Sequence, residues 1–506
     1  MIHANSPGPR KVLLAEFNEV TWRLVEPLCA RGKLPTFSEF IREGTRGAPV
    51  ATEDPPDLDP WISWTTLYTG RPQEEHGVRF LEQPPETVTG PRVWEIAADA
   101  GKTVGVFGSI MSWPPRPGVR GFWVPSTFSP GPETSPPELR PIQELNLTAT
   151  RAHTPLDAGN GRGSSVARVL KLLKLGLRPA SILKGVSFLV RSRLRRHRYW
   201  EKVSLQPLIN LDFFEKLYRS HRPDLATFHT NHVAHYQHRY WRSMDSAAFH
   251  VKASPEEVRR YGPAIEYGYR VADTSLRRLW KLADDNTVVI LASGLGQQPY
   301  VVDAFKEGRE IVRVRDIRQI VELCGVAGSC TPLSMMAPQW NLRIPDPAKR
   351  AQAARVLRSA WVRDPETRLV AFDTVGDTIN FNISQKNVHP LDLQARCVFP
   401  DAGGRTFALG ELCAVQDATP KEGYHDPVGL TIFRGAGVRR GAQLRDCTNL
   451  DFAPTILHLL ALPIPSHMKG RVLHEAFEGP ASVAVPRSLG SAGETERLHV
   501  GGQVDP

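Results

Sequence analysis

Cysteine is sparse in this sequence. Six residues, Cys29, Cys324, Cys330, Cys397, Cys413 and Cys447, are scattered through 506 positions without the short paired spacing of a zinc or redox motif. Reduced, mostly buried thiols are therefore expected. Long apolar runs are missing too: nothing approaches the about 20 consecutive apolar residues of a membrane span, and no secretory h-region follows the first residues. A cytoplasmic protein is expected, at most peripheral to the inner membrane surface. There is no G-x-x-x-x-G-K-S phosphate loop either, so Gly294 and Gly296 alone carry little. Finally, residues 164–202 have hardly an acidic side chain and few aromatics.

The basic residues of that stretch, from Arg168 to Arg198, stand among Leu, Val, Ile and Phe, and much of the chain's net charge of +10 is concentrated there. A helical pair of this composition suits an anionic membrane surface, a cap over an anionic substrate, or plain solvation. Nucleic acid fits less well, because side chains for base stacking are scarce.

What is present is organised around residues 59–78. Asp59 followed by Pro60 reads as an N-cap and first helical position. Trp61, Ile62, Trp64 and Leu67 make the helix apolar enough to bury, and Gly70 with Pro72 ends it. A buried helix whose N-terminus faces the carboxyl ends of strands is an anion site.

The run Trp64-Thr65-Thr66-Leu67-Tyr68-Thr69-Gly70, then Pro72 and His76-Gly77, resembles the alkaline phosphatase superfamily, nearest to its type I phosphodiesterase/nucleotide pyrophosphatase branch. Segments near residues 32, 93, 229, 287, 423 and 450 follow in the order that the resemblance implies. It implies an α/β sandwich with a largely parallel central sheet, here with a basic helical insertion and a small α+β insertion. The core is expected in residues 1–155, 223–310 and 423–482, the insertions in 156–222 and 311–422, and a disordered tail in 483–506.

Along the chain, 11–17, 103–108, 225–230, 287–292 and 428–434 read as buried strands. Residues 113–154 are Pro-rich and read as a long irregular excursion. A helix is expected over 255–283, opened by the capping box at Ser254, with others over 312–323 and 348–361.

The resemblance implies two metal ions, and the positions can be compared one by one. For the first, Asn231 stands at an Asp position, His235 and His425 match the two His positions, and His238 lies close enough to add a ligand. For the second, Asn18 stands at the first Asp, Pro60 at the nucleophile, and Ala292 and Ser293 at an Asp-His pair. Amide, methyl and hydroxyl groups cannot replace those ligands. At most one divalent ion, zinc or manganese, is expected.

The candidate catalytic residues are Asp59, Ser293 and Glu19. Asp59 reads either as a nucleophile or as a helix cap, Ser293 ends a strand, and Glu19 follows one as a general base. Asn18, Ser63 and Thr66 are candidate substrate contacts. Two readings follow. One is a phosphoester hydrolase or transferase acting on an anionic sugar, nucleotide or lipid-linked substrate. The other is a pseudoenzyme that binds a phosphorylated ligand or partner without turning it over.

Overall fold

The computed structural model describes residues 9–151, 165–194, 196–301, 312–335, 338–362, 364–383, 391–415 and 421–478. Its centre is an eight-stranded sheet. In chain order the labelled strands are β1 (Lys11–Phe17), β2 (Thr45–Gly47), β3 (Val104–Phe107), β4 (Gly121–Val124), β5 (Leu225–Thr230) and β6 (Thr287–Ala292). Across the sheet the order is Ala442–Gln443, β2, Thr431–Gly435, β6, β1, β5, β3 and β4. The five strands from β6 to β4 run parallel, and Thr431–Gly435 is antiparallel to both its neighbours. The α/β sandwich expected from the sequence is present.

Alternation along β1 divides the core. Leu13, Ala15 and Phe17 face one helical layer with Phe37, Phe214 and Tyr269. Val12 and Leu14 face the other, where the central helix Pro60–Thr69 and the helix Phe452–Leu459 pack. Both faces of β1 are therefore dry, as a parallel strand requires. Residues from Val312 to Cys413 close a core of their own around Trp340, Phe381 and Phe399.

Several boundaries differ from the sequence reading. The Pro-rich stretch 113–154 contains a buried edge strand, β4, and the helix Arg140–Arg151. The strand is only four residues long, and its Gly121 start (φ 117°) hides it from a periodicity reading. The helix expected over 255–283 is two, Pro255–Tyr261 and Ala264–Trp280, separated by Gly262-Pro263. Residues Val312–Val314 pair with Cys413–Val415, so that helix begins only at Ile317, capped by Asp316. The last core strand starts at Thr431, leaving Val428 exposed. The expected tail, 483–506, lies outside the described residues.

Candidate functional site

Glu19 is the focus of the site. It follows β1 at the carboxyl end of the parallel strands, where open α/β sheets place their ligands. Its φ is +60°, in the left-handed region that bulky residues rarely adopt. The surrounding structure holds it there. Its N–H donates to the Ser293 carbonyl at 3.1 Å, and its own carbonyl accepts from Gln237 at 2.9 Å. Tyr269 in turn donates to Gln237 at 2.7 Å. Strain of this kind is found where a side chain must be aimed.

The Glu19 carboxylate is aimed at two imidazoles. Its Oε2 lies 3.1 Å from His238 Nε2, and its Oε1 lies 3.7 Å from His425 Nε2. Asn18 donates to Oε1 at 2.9 Å, and Gln297 donates to Oε2. His238 comes from the helix His232–Met244, which follows β5. His425 comes from the strand Gly423–Asp426, paired with β7 (Gly296–Pro299) so that His425 sits opposite Gln297.

The other nitrogen of each ring faces a backbone carbonyl. His238 Nδ1 is 2.9 Å from the Gly423 carbonyl, and His425 Nδ1 is 2.6 Å from the Leu58 carbonyl. A carbonyl only accepts, so each Nδ1 carries a proton. Each ring then turns its Nε2 toward the Glu19 carboxylate. Burial is the main reason that His425 is pushed down to about 3, and so it is neutral at pH 7. Burial alone would raise Glu19, but His238, His425 and the bonds from His238 and Gln297 hold it down at about 2.

Two imidazole nitrogens and a carboxylate oxygen within 4.8 Å of one another form a donor set that suits a divalent cation. The backbone carbonyls behind the imidazoles are the partners that orient such ligands. The residues fit one ion. Among the described residues this is the one cluster of three or more His, Cys, Asp or Glu groups placed to hold a metal.

Asp59 stands beside it. It occupies the N-cap position, yet its side chain makes no capping bond, which corrects the cap reading. Instead, Oδ1 lies 3.4 Å from His425 Nδ1, and the side chain keeps 28% of its exposure. Desolvation raises its pKa to about 7; Lys421 opposes the rise and Glu19 adds to it.

The remaining sequence candidates are placed differently. Asn231 accepts from Asn18 at 2.7 Å, and Asn18 also accepts from Trp64 Nε1 at 2.8 Å. His235 lies outside the three-residue cluster, with its ring edge-on to Tyr236. Ser293 is fully buried, and its Oγ accepts from the Leu430 N–H at 2.7 Å. Ser63 donates to Glu53 at 3.1 Å, and Thr66 donates to the same carboxylate.

Sequence reasoning missed Glu53, Gln297 and Lys421. Glu53 looked like one acid of a polar loop, and nothing marked it as buried. Glu16, which the sequence sets beside Asn18 and Glu19, is fully buried and accepts from Tyr68 at 2.8 Å and Ser109 at 3.1 Å.

No curated protein sequence matches this chain. Among solved structures, human ectonucleotide pyrophosphatase / phosphodiesterase 5 is similar over 93% of this chain and 100% of its own, at 13% identity and a TM-score of 0.41, too distant a likeness to argue from. Residues 17–316, more than half of the chain, match the model of the type I phosphodiesterase / nucleotide pyrophosphatase family. On that match the chain belongs to the type I phosphodiesterase / nucleotide pyrophosphatase family of the alkaline phosphatase superfamily.

Proposed function

We propose that the chain hydrolyses an anionic phosphodiester, with Glu19, His238 and His425 holding one divalent cation and Asp59 receiving the proton of the attacking water. The family supplies the reaction class. The observation that carries the site assignment is the convergence of two Nε2 atoms on the Glu19 carboxylate, with both Nδ1–H groups bonded to backbone carbonyls.

A zinc or manganese ion held there would supply Lewis-acid charge to the phosphoryl oxygens. The chain's own residues do the rest. Asn18 and Gln297 fix the carboxylate, and the Gly423 and Leu58 carbonyls fix the rings. Asp59, part-exposed and without a capping bond, is the carboxylate that a water beside His425 can reach. Lys421, whose charge acts on both Asp59 and His425, favours an anionic substrate. The substrate is a phosphorylated small molecule, a sugar or nucleotide ester, or a lipid-linked one.

One observation favours a second reading, a protein that binds a phosphorylated ligand without turnover. Asn18 bonds Asn231 and Trp64, the Ser293 hydroxyl bonds Leu430, and Pro60 and Ala292 carry no ligand atom, so the positions that the resemblance assigns to a second cation offer it no carboxylate or imidazole. Elemental analysis and hydrolysis of bis-p-nitrophenyl phosphate separate the readings. The hydrolase reading expects one metal equivalent, lost in His238→Ala and His425→Ala, and a rate at least about a hundredfold lower in Asp59→Asn. Bound metal with no hydrolysis of any phosphodiester tried would favour the binding protein. A chain that takes up neither zinc nor manganese would sink the metal site.

A further inference from the structure

The helices Ser165–Leu175 and Pro179–Leu194 have two unlike faces. Inward, Leu172 and Phe188 are buried, and the Phe188 ring lies 6.0 Å from that of Tyr199. The turn between the helices is pinned to the helix Leu205–His221: the Arg178 N–H donates to Asp212 at 3.1 Å, and its guanidinium pairs with Glu215. Outward, Leu183, Val186, Leu189 and Val190 are 50–69% exposed, and Leu170 is 55% exposed. Residues 183, 186 and 190 follow the helical repeat and form one stripe.

Cations flank that stripe. Lys171, Lys174, Lys184, Arg191 and Arg193 are all exposed, and no Asp or Glu occurs from residue 158 to residue 200. An anchored helix pair with an aliphatic outer face and a cationic rim has the chemistry of an interfacial membrane element. Among the described residues no helix is long and apolar enough to cross a membrane, so the element would lie on a bilayer rather than span it.

From this we infer that the outer face of Ser165–Leu175 and Pro179–Leu194 docks on an anionic lipid bilayer, aliphatic side chains entering the headgroup region and lysines and arginines meeting lipid phosphates. Charge complementarity decides the occupant. A second copy related by a two-fold axis would set one cationic rim against another. Single-stranded nucleic acid calls for rings, whereas the exposed stripe is aliphatic.

Docking would also orient the hydrolytic site. The segment Arg196–Ser204 continues from these helices and rests on the helix that carries His238: Tyr236 donates to the Trp200 carbonyl at 3.0 Å, and the Ser204 hydroxyl lies 3.0 Å from Tyr236 Oη. The membrane inference stands whether or not Glu19, His238 and His425 bind a metal.

The test is co-sedimentation of the full chain with phosphatidylcholine vesicles, with and without phosphatidylglycerol, across a salt series. Two double variants accompany it, Leu183→Glu with Val190→Glu and Lys184→Glu with Arg191→Glu; all four positions are exposed, and circular dichroism melting confirms folding. Binding to the mixed vesicles alone is expected, reduced at least about tenfold by either variant. Salt should weaken it without abolishing it, because the aliphatic contribution is unscreened. Equal binding to neutral vesicles, or unchanged binding by the Leu183/Val190 variant, would overturn the inference. So would binding to single-stranded DNA with no vesicle binding, or a dimer dispersed by the Leu183/Val190 variant that sediments with no vesicle.

Discussion

His238 and Glu19 meet at 3.1 Å, Nε2 to Oε2, while the far side of the same ring holds the Gly423 carbonyl at 2.9 Å. A ring fixed from behind in this way presents its lone pair to whatever cation shares the carboxylate. Zinc should therefore bind the native fold and raise its melting temperature. At free zinc one hundred times the dissociation constant the stabilisation is about 2.7 kcal/mol. Thermal denaturation with zinc and with chelator should show this gap in the unmodified chain and lose it in His238→Ala and Glu19→Gln. An equal zinc response in all three proteins would rule this cluster out as the site.

Thr66 belongs to a different group of side chains, and its loss should appear as instability. His76 Nδ1 accepts from the Val78 N–H at 3.1 Å, so its proton is on Nε2, 3.1 Å from Thr66 Oγ1, while the Thr66 hydroxyl donates to Glu53. Burial, with Arg92 and Arg71 nearby, lowers His76 to about 4 and keeps it neutral. Thr66→Val strands a buried donor and removes one from a buried carboxylate, a cost of about 2 kcal/mol or more. Urea denaturation measures it. The zinc response should be retained.

These two groups show what a sequence can disclose about this fold. The strands Lys11–Phe17, Leu225–Thr230 and Thr287–Ala292 were legible because strands buried on both faces leave unbroken apolar runs. Pro60 and Gly70 marked the central helix because one lacks an N–H and the other accepts φ 62°. The choice of His238 over His235 was not legible. Both lie on one helix three residues apart, and only its docking beside Gly423 decides which ring faces Glu19. Glu19 itself was visible as an acid after a strand, but its aim depends on a left-handed backbone imposed by Ser293 and Gln237.

Arg278 should prove indispensable to the helical layer. It donates to Asp212 at 2.7 Å and pairs with Glu215, and both acids are buried on the helix Leu205–His221. Replacing it with leucine leaves two buried carboxylates to the part-exposed Arg178, and removing one partner of such a network costs about 3–5 kcal/mol. Equilibrium denaturation should register a loss of that order. Arg318→Leu, which breaks an exposed pair with Asp316, should leave stability almost unchanged.

Glu82 makes stability depend on pH in a direction unusual for a carboxyl group. It is buried, its Oε1 has no hydrogen-bond partner, and its φ is 53°. Burial raises its pKa from the ordinary 4.5 to about 7, against the opposing pull of Ser126, Arg92 and the Met111 backbone. A folded pKa above the unfolded one means that the native state holds the proton more tightly. Its contribution is complete below pH 4.5 and is lost as pH rises toward 7, because the unfolded chain releases the proton first. At 1.36 kcal/mol per unit, the swing is about 3 kcal/mol. Glu82→Gln cannot ionise, so its stability relative to the unmodified chain should improve by about that amount between pH 4.5 and pH 8. Urea denaturation of both proteins across this range measures the difference, and a constant offset would show that Glu82 ionises in the native fold as freely as in the unfolded chain.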